Sequence, residues 1–225
     1  MKRRKVSLGV PLLALAVSPA AAHAQDTLFD NGPINGTVDA WTINFGFVVS
    51  DSFDISAMHK GGTVIKGFDI GVWELPGDKL SSLDWSVTSG ENGGTVFGSG
   101  TASGSDLAEK TLFVNEFGYN VDDVTVSGLN FTLPVGDYWL NLQNAVTTNG
   151  DPVFWDENSG VGCGGDDGAG GNCPALASEN SLGTIPSEAF TIEGGESGSV
   201  PEPGTLGLMM AGILGFAARL RRKLF

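Results

Sequence analysis

Apolar and polar residues alternate along most of the middle of the chain. Trp41, Ile43, Phe45, Phe47 and Val49 share one side of a two-residue period, with Thr42, Asn44, Gly46 and Ser50 mostly on the other. That is the pattern of a half-buried β-strand. Runs of the same kind predict strands at 64–73, 83–88, 95–102, 111–119, 124–133, 137–144 and 189–192. Within 124–133 the apolar phase changes from Val124 and Val126 to Leu129, Phe131 and Leu133, so a β-bulge is predicted near Ser127 and Gly128. Turn chemistry separates the runs, as in Leu75-Pro76-Gly77-Asp78, Glu91-Asn92-Gly93-Gly94 and Leu133-Pro134-Val135-Gly136. No segment between the two ends sustains a helical period. The expected fold is all-β: an antiparallel β-sandwich, jelly-roll-like, of about eight strands.

The two ends break this pattern. Lys2, Arg3, Arg4 and Lys5 precede an apolar run from Val6 to Val17, and Ala22-His23-Ala24 follows. A basic start, a short apolar core and small residues are the order of a secretory signal peptide, which places residues 1–24 in a segment removed by signal peptidase. At the other end, Val200, Pro201, Glu202, Pro203 and Gly204 lead into an almost wholly apolar stretch, 205–218. Arg219, Leu220, Arg221, Arg222 and Lys223 follow it. As a helix those fourteen residues span roughly 21 Å, short of the roughly 30 Å hydrocarbon core, so the bilayer must thin or the flanks must snorkel. Arginines held in the cytoplasm put the middle of the chain on the far side of the membrane.

The segment VPEPGTLGLMMAGILGFAARLRRK resembles the PEP-CTERM sorting signal, with the proline motif, the glycine-rich apolar helix and the arginine cluster in order over residues 200–225. The resemblance implies recognition of Val200, Pro201, Glu202, Pro203, Arg219, Arg221 and Arg222 by an exosortase, an integral membrane enzyme. It further implies transient anchoring in the inner membrane and delivery to the cell surface or the exopolysaccharide matrix. It says nothing about catalysis by this chain. Between the two signals lie a domain at 25–193 and a Gly/Ser/Glu linker at 194–199 that leaves the tail accessible. The phrases IKGFDIGVWELPGD, DYWLNLQNA and GDPVFWDENSG are similar to ectodomains found on proteins with this tail, which carry no assigned activity.

Charge narrows the partners. All 26 acidic residues lie between Asp26 and Glu202, against four lysines there, which gives that segment a net charge of −22. Such a surface repels nucleic acid and keeps an exported protein soluble. From Thr147 to Pro186 the chain reads as a long loop rich in Gly, Asp and Asn. Cys163 and Cys173, the two cysteines of an exported chain, are expected to close part of it as a disulfide.

Little of this is catalytic chemistry. His59 is the sole imidazole after the signal peptide and has no nucleophile motif around it, so the expectation is a non-enzymatic protein. Asp156 and Glu157, beside Trp155, are the carboxylate pair that a glycoside hydrolase would use, the alternative enzymatic reading. Hard oxygen donors abound and imidazoles do not, so calcium is the cation to consider, on Asp151, Asp156, Glu157, Asp166 and Asp167. The strand at 137–144 places Tyr138, Leu140 and Leu142 toward the core and Trp139, Asn141 and Gln143 together on the other face. An indole beside two amides suits a sugar, the ring packing on the pyranose and the amides pairing with hydroxyls. The sequence thus supports a structural or adhesive surface protein, with a carbohydrate-binding one as the alternative.

Overall fold

The computed structural model describes residues 26–37, 39–56, 62–158 and 176–196, and within them the chain forms two antiparallel β-sheets. In chain order the strands are β1 (Asp26–Asp30), β2 (Asp39–Thr42), β3 (Val48–Ile55), β4 (Thr63–Glu74), β5 (Leu80–Gly90), β6 (Gly93–Ser103), β7 (Leu107–Val114), β8 (Asn120–Val126), β9 (Phe131–Leu133), β10 (Gly136–Thr147), β11 (Phe154–Glu157), β12 (Ala177–Glu179), β13 (Gly183–Ile185) and β14 (Phe190–Glu196). The expected antiparallel sandwich is what these residues build.

The first sheet is organised on β4, long enough to carry two partners along each edge. β14 and then β11 pair with one edge, β9 and then β8 with the other, while β1, β2 and β7 add outside β14, β11 and β8. The second sheet runs β13-β12-β3-β10-β5-β6. Period-two alternation turns one face of each sheet inward. Phe68, Ile70 and Val72 of β4 and Val124 and Val126 of β8 share one buried cluster with Val49, Phe53 and Ile55 of β3, Leu83, Trp85 and Val87 of β5, and Tyr138, Leu140 and Leu142 of β10. Each such side chain, fully buried, contributes about 1.5–3 kcal/mol, so this cluster is what holds the sheets together.

Four expectations are corrected. The run from Trp41 to Val49 is two strands in different sheets: the chain turns at Phe45 (φ 55°) and Gly46 (φ 92°), and the Phe47 N–H donates to the Asn44 carbonyl at 3.1 Å. Phe45 and Phe47 are consequently exposed, although they keep the apolar phase. The bulge expected near Ser127 and Gly128 is a wider break, residues 127–130, between β8 and β9. There the Ser127 N–H donates to Asp106 and the Leu129 N–H to Lys66. β4 changes its own inward phase between Ile65 and Phe68, and β14 slips register opposite the same place, so the irregularity crosses three strands. The region read as one long loop contains β11, β12 and β13. Finally, β14 continues through Gly194, Gly195 and Glu196, into the stretch read as a linker. Gly194 is there for packing: a Cβ on it would sit 2.3 Å from the Val64 carbonyl oxygen and 2.5 Å from Leu28.

Candidate functional site

Trp139 is half-buried on the outer face of the second sheet, opposite Ser52 of β3 and Thr88 of β5. It lines a cleft of about 150 Å³ with Ser52, Asp54, Asp137 and Leu176. Asp54 and Asp137 are direct ladder partners. Partial burial and then the Asp137 charge hold the Asp54 carboxyl above its ordinary range. Asn141 shares the face but not the opening. Its Oδ1 accepts from Ser50 at 2.6 Å and its Nδ2 donates to Thr88 at 2.8 Å and to the Ser86 carbonyl at 3.2 Å. Gln143 stands one rung further along the same face, between Val48 and Asp84. A sugar entering here would meet the indole with Ser52, Asp54 and Asp137, since the Asn141 amide is committed to the sheet.

A larger cleft, about 310 Å³, opens where β6 passes the β8–β9 break, with Trp85 and Phe131 on its wall and Ser99, Thr101, Asp106 and Asn130 on its rim. The two rings stack at 5.8 Å and 18°. Glycine makes room for them, because a Cβ on Gly98 would lie 2.8 Å from the Phe131 ring and one on Gly100 3.3 Å from Trp85. The sequence reading did not single out this cleft. Its available signal was the spacing Gly98-Ser99-Gly100, two same-face glycines inside a strand, which marks a close approach from outside the sheet.

The carboxylates chosen from sequence go to separate places. Asp156 and Glu157 are consecutive on β11 and point to opposite faces of the sheet. Asp156 is capped by the Asn35 N–H at 2.8 Å, the Gly36 N–H at 3.0 Å and the Trp73 indole N–H at 2.6 Å. Burial nonetheless raises its carboxyl to about 6 against those bonds. Glu157 turns inward, where it accepts from the Trp41 indole at 3.1 Å. Neither faces a common cleft with the other. Asp151, in the β10–β11 connection, is fixed through its backbone to Thr147 and Asn44. Asp166, Asp167, Cys163, Cys173 and His59 lie outside the described residues.

A second set of acids, which the sequence reading passed over, sits in the interior. Asp51 is on the core face of β3, between Val49 and Phe53. Its Oδ1 accepts from the Ser52 N–H at 2.7 Å, and its Oδ2 from the Glu188 N–H at 2.7 Å and the Ser187 hydroxyl at 3.0 Å. Burial still drives Asp51 to about 7. Glu188, bridged to Glu157 and fully buried, has no hydrogen-bond partner on either carboxylate oxygen. Its carboxyl is held well above the ordinary range by burial, then by Asp51, Glu157 and Asp156. Among the described residues, the three potential metal-ligating side chains that converge within 4.8 Å of one another are Glu74, Glu109 and Asp122.

Residues 199–223 match the PEP-CTERM protein-sorting motif. The chain carries an exosortase sorting signal. No curated protein and no solved structure shows significant similarity to it. The PEP-CTERM motif implies export and membrane-associated processing toward the cell surface. Its residues, including Val200, Pro201, Glu202, Pro203, Arg219, Arg221 and Arg222, and the apolar stretch at 205–218, lie outside the described residues, as does the signal peptide expected at 1–24. The motif begins three residues after β14 ends at Glu196, so the sorting signal follows the sandwich almost directly.

Proposed function

We propose that this chain is a non-enzymatic surface protein: an exported β-sandwich processed by an exosortase and serving a structural or adhesive role at the cell surface or in the exopolysaccharide matrix. The observation that carries this reading is the sorting motif at residues 199–223, placed directly behind a β-sandwich. The edge strand β7 supports the adhesive part. It pairs with β8 on one side, and it leaves Leu112, Phe113 and Val114 exposed, with Phe117 exposed just beyond. Exposed apolar edges are where another chain or surface attaches. In the host, deleting the exosortase should leave an uncut form in the membrane fraction; normal release without the enzyme sinks the sorting half of the proposal.

Carbohydrate binding at Trp139 is the second reading, supported by a half-buried indole that shares its cleft with Ser52, Asp54 and Asp137. Binding of the ectodomain to the host's exopolysaccharide and to a glycan array, lost in Trp139→Ala but kept in Asp106→Ala, would establish it. The reverse pattern would move the site to the Trp85 and Phe131 cleft. Release of new reducing ends from the polysaccharide would instead overturn the non-enzymatic reading.

A further inference from the structure

At its C-terminal end β4 turns a glutamate inward. Phe68, Ile70, Val72 and Glu74 share the core phase of that strand, and the ladder sets Asp122 of β8 opposite Val72. On β7, Thr111 stands opposite Asp122 and Glu109 opposite Val124, so Glu109 faces the same way as Asp122. Three carboxylates from three adjacent strands therefore converge, each with an oxygen within 4.8 Å of the others. Glu74 and Asp122 are 0% exposed; neither carboxylate oxygen of Glu74 has a hydrogen-bond partner, and Asp122 has the Thr111 hydroxyl beside it.

Lys79, the cation beside them among the described residues, does not resolve this. Lys79 Nζ is 3.1 Å from Glu109 Oε1, while Glu109 Oε2 accepts the Leu80 N–H at 2.9 Å. That ammonium is two-thirds exposed and satisfies the carboxylate that needs it least. Asp78, also buried, is taken up by the Thr148 hydroxyl and by the Asn149 and Lys79 N–H groups, which fixes the β4–β5 turn over the cluster. Two buried carboxylates beside a half-buried third, with so little compensation, are where a hard ion would be held.

We propose that Glu74, Glu109 and Asp122 bind a hard divalent cation, calcium by the chemistry of the donors, which ties β4, β7 and β8 together beneath the β4–β5 turn. The donors are all carboxylate oxygen, which selects hard ions over zinc or copper. Three oxygens within 4.8 Å of one another leave a point no more than about 2.8 Å from each, so small shifts bring all three to the roughly 2.3–2.6 Å of calcium–oxygen contact. Without it, burial first, then the charges of Glu109, Asp122 and Asp78, push the Glu74 carboxyl up to about 8. Burial raises Asp122 as well, against the Thr111 hydroxyl, and Glu109 adds to the rise. This site is independent of the sorting signal and of the Trp139 cleft.

The test is calorimetric titration of calcium chloride into the full chain, purified in detergent and stripped with EDTA, at pH 7. The expected result is one saturable site. Glu74→Gln and Asp122→Asn should each weaken it at least about tenfold, and Trp139→Ala should leave it unchanged. Absence of saturable binding, or affinity unchanged in both carboxylate variants, overturns the proposal. Tighter binding of magnesium than calcium overturns the choice of ion. If Glu74→Gln fails to fold, Asp122→Asn and saturable binding to the unaltered chain still decide.

Discussion

The interior acids make stability depend on pH in a direction opposite to that of an ordinary salt-bridged carboxylate. Asp51 rises from 3.8 to about 7 on folding. Below about pH 4 both the folded and unfolded chains hold its proton, and nothing is lost. Between there and pH 7 the unfolded chain ionises while the folded one does not, so stability falls by about 1.4 kcal/mol per pH unit. The total from this one group is about 4 kcal/mol, a large share of the roughly 5–15 kcal/mol that keeps a domain folded. Burial is the cause, since every hydrogen bond to Asp51 works the other way. Glu188 extends the loss to higher pH, as its carboxyl is raised by burial and by Asp51 itself.

Glu188→Gln isolates the effect. Asp51→Asn would not, because an amide nitrogen would have to replace an oxygen that accepts from donors on both sides. Glu188 has no such partners, so the glutamine keeps its shape and removes its titration. Urea melts of residues 25–199 followed by tryptophan fluorescence, in EDTA from pH 4 to 8.5, should give curves that meet within about 1 kcal/mol at the acid end. From about pH 4.5 upward they should diverge, with the variant the more stable and the Asp51 loss of about 4 kcal/mol remaining in both. Wild-type stability that is flat or rising from pH 5 to 8, or parallel curves for the two proteins, would refute the reasoning.

Two further outcomes follow from local geometry. Asp156→Ala strips the acceptor from the Trp73 indole and from the Asn35 and Gly36 N–H groups, so it should cost about 3 kcal/mol or more, read as a lowered urea midpoint. Gly194→Ala drives a Cβ against the Val64 carbonyl, so it should destabilise the sandwich by about 1–3 kcal/mol and reduce amide-exchange protection in β1 and β14; a flexible linker at that position would tolerate the change.

The fold class was legible because the alternation is sharp where both faces of a strand have a settled environment, as in β4 and β10. It misled at Phe45 and Phe47, where the apolar phase continues through a turn that carries the chain from one sheet to the other. β11, β12 and β13 are three or four residues long and owe their pairing to partners distant in sequence, which no local pattern records. The sorting motif was legible, because a sorting signal is read as a linear peptide. The buried acids were legible in principle. Val49, Asp51, Phe53 and Ile55 share one phase, as do Val72 and Glu74, and Asp122 with Val124 and Val126. An acid in the inward phase of a strand is a stronger signal than acid abundance, and with 26 acidic residues abundance hid it. Asn141 failed differently: its phase was read correctly, but the outer face of a central strand offers neighbouring hydroxyls and carbonyls that consume an amide before a ligand can.

The two ends of β4 have different neighbours, and that separates sorting from cation binding. Glu196, the last residue of β14, pairs with Thr63 at the start of β4. Pro201 is five residues further on, and five residues reach at most roughly 18 Å. Glu74 lies eleven residues along β4, roughly 36 Å from Thr63. An ion held by Glu74 would therefore act at the end of β4 opposite the one that pairs with the close of β14. β14 is paired on both sides, with β1 and β4, so the sandwich is complete only when the strand nearest the tail has been inserted.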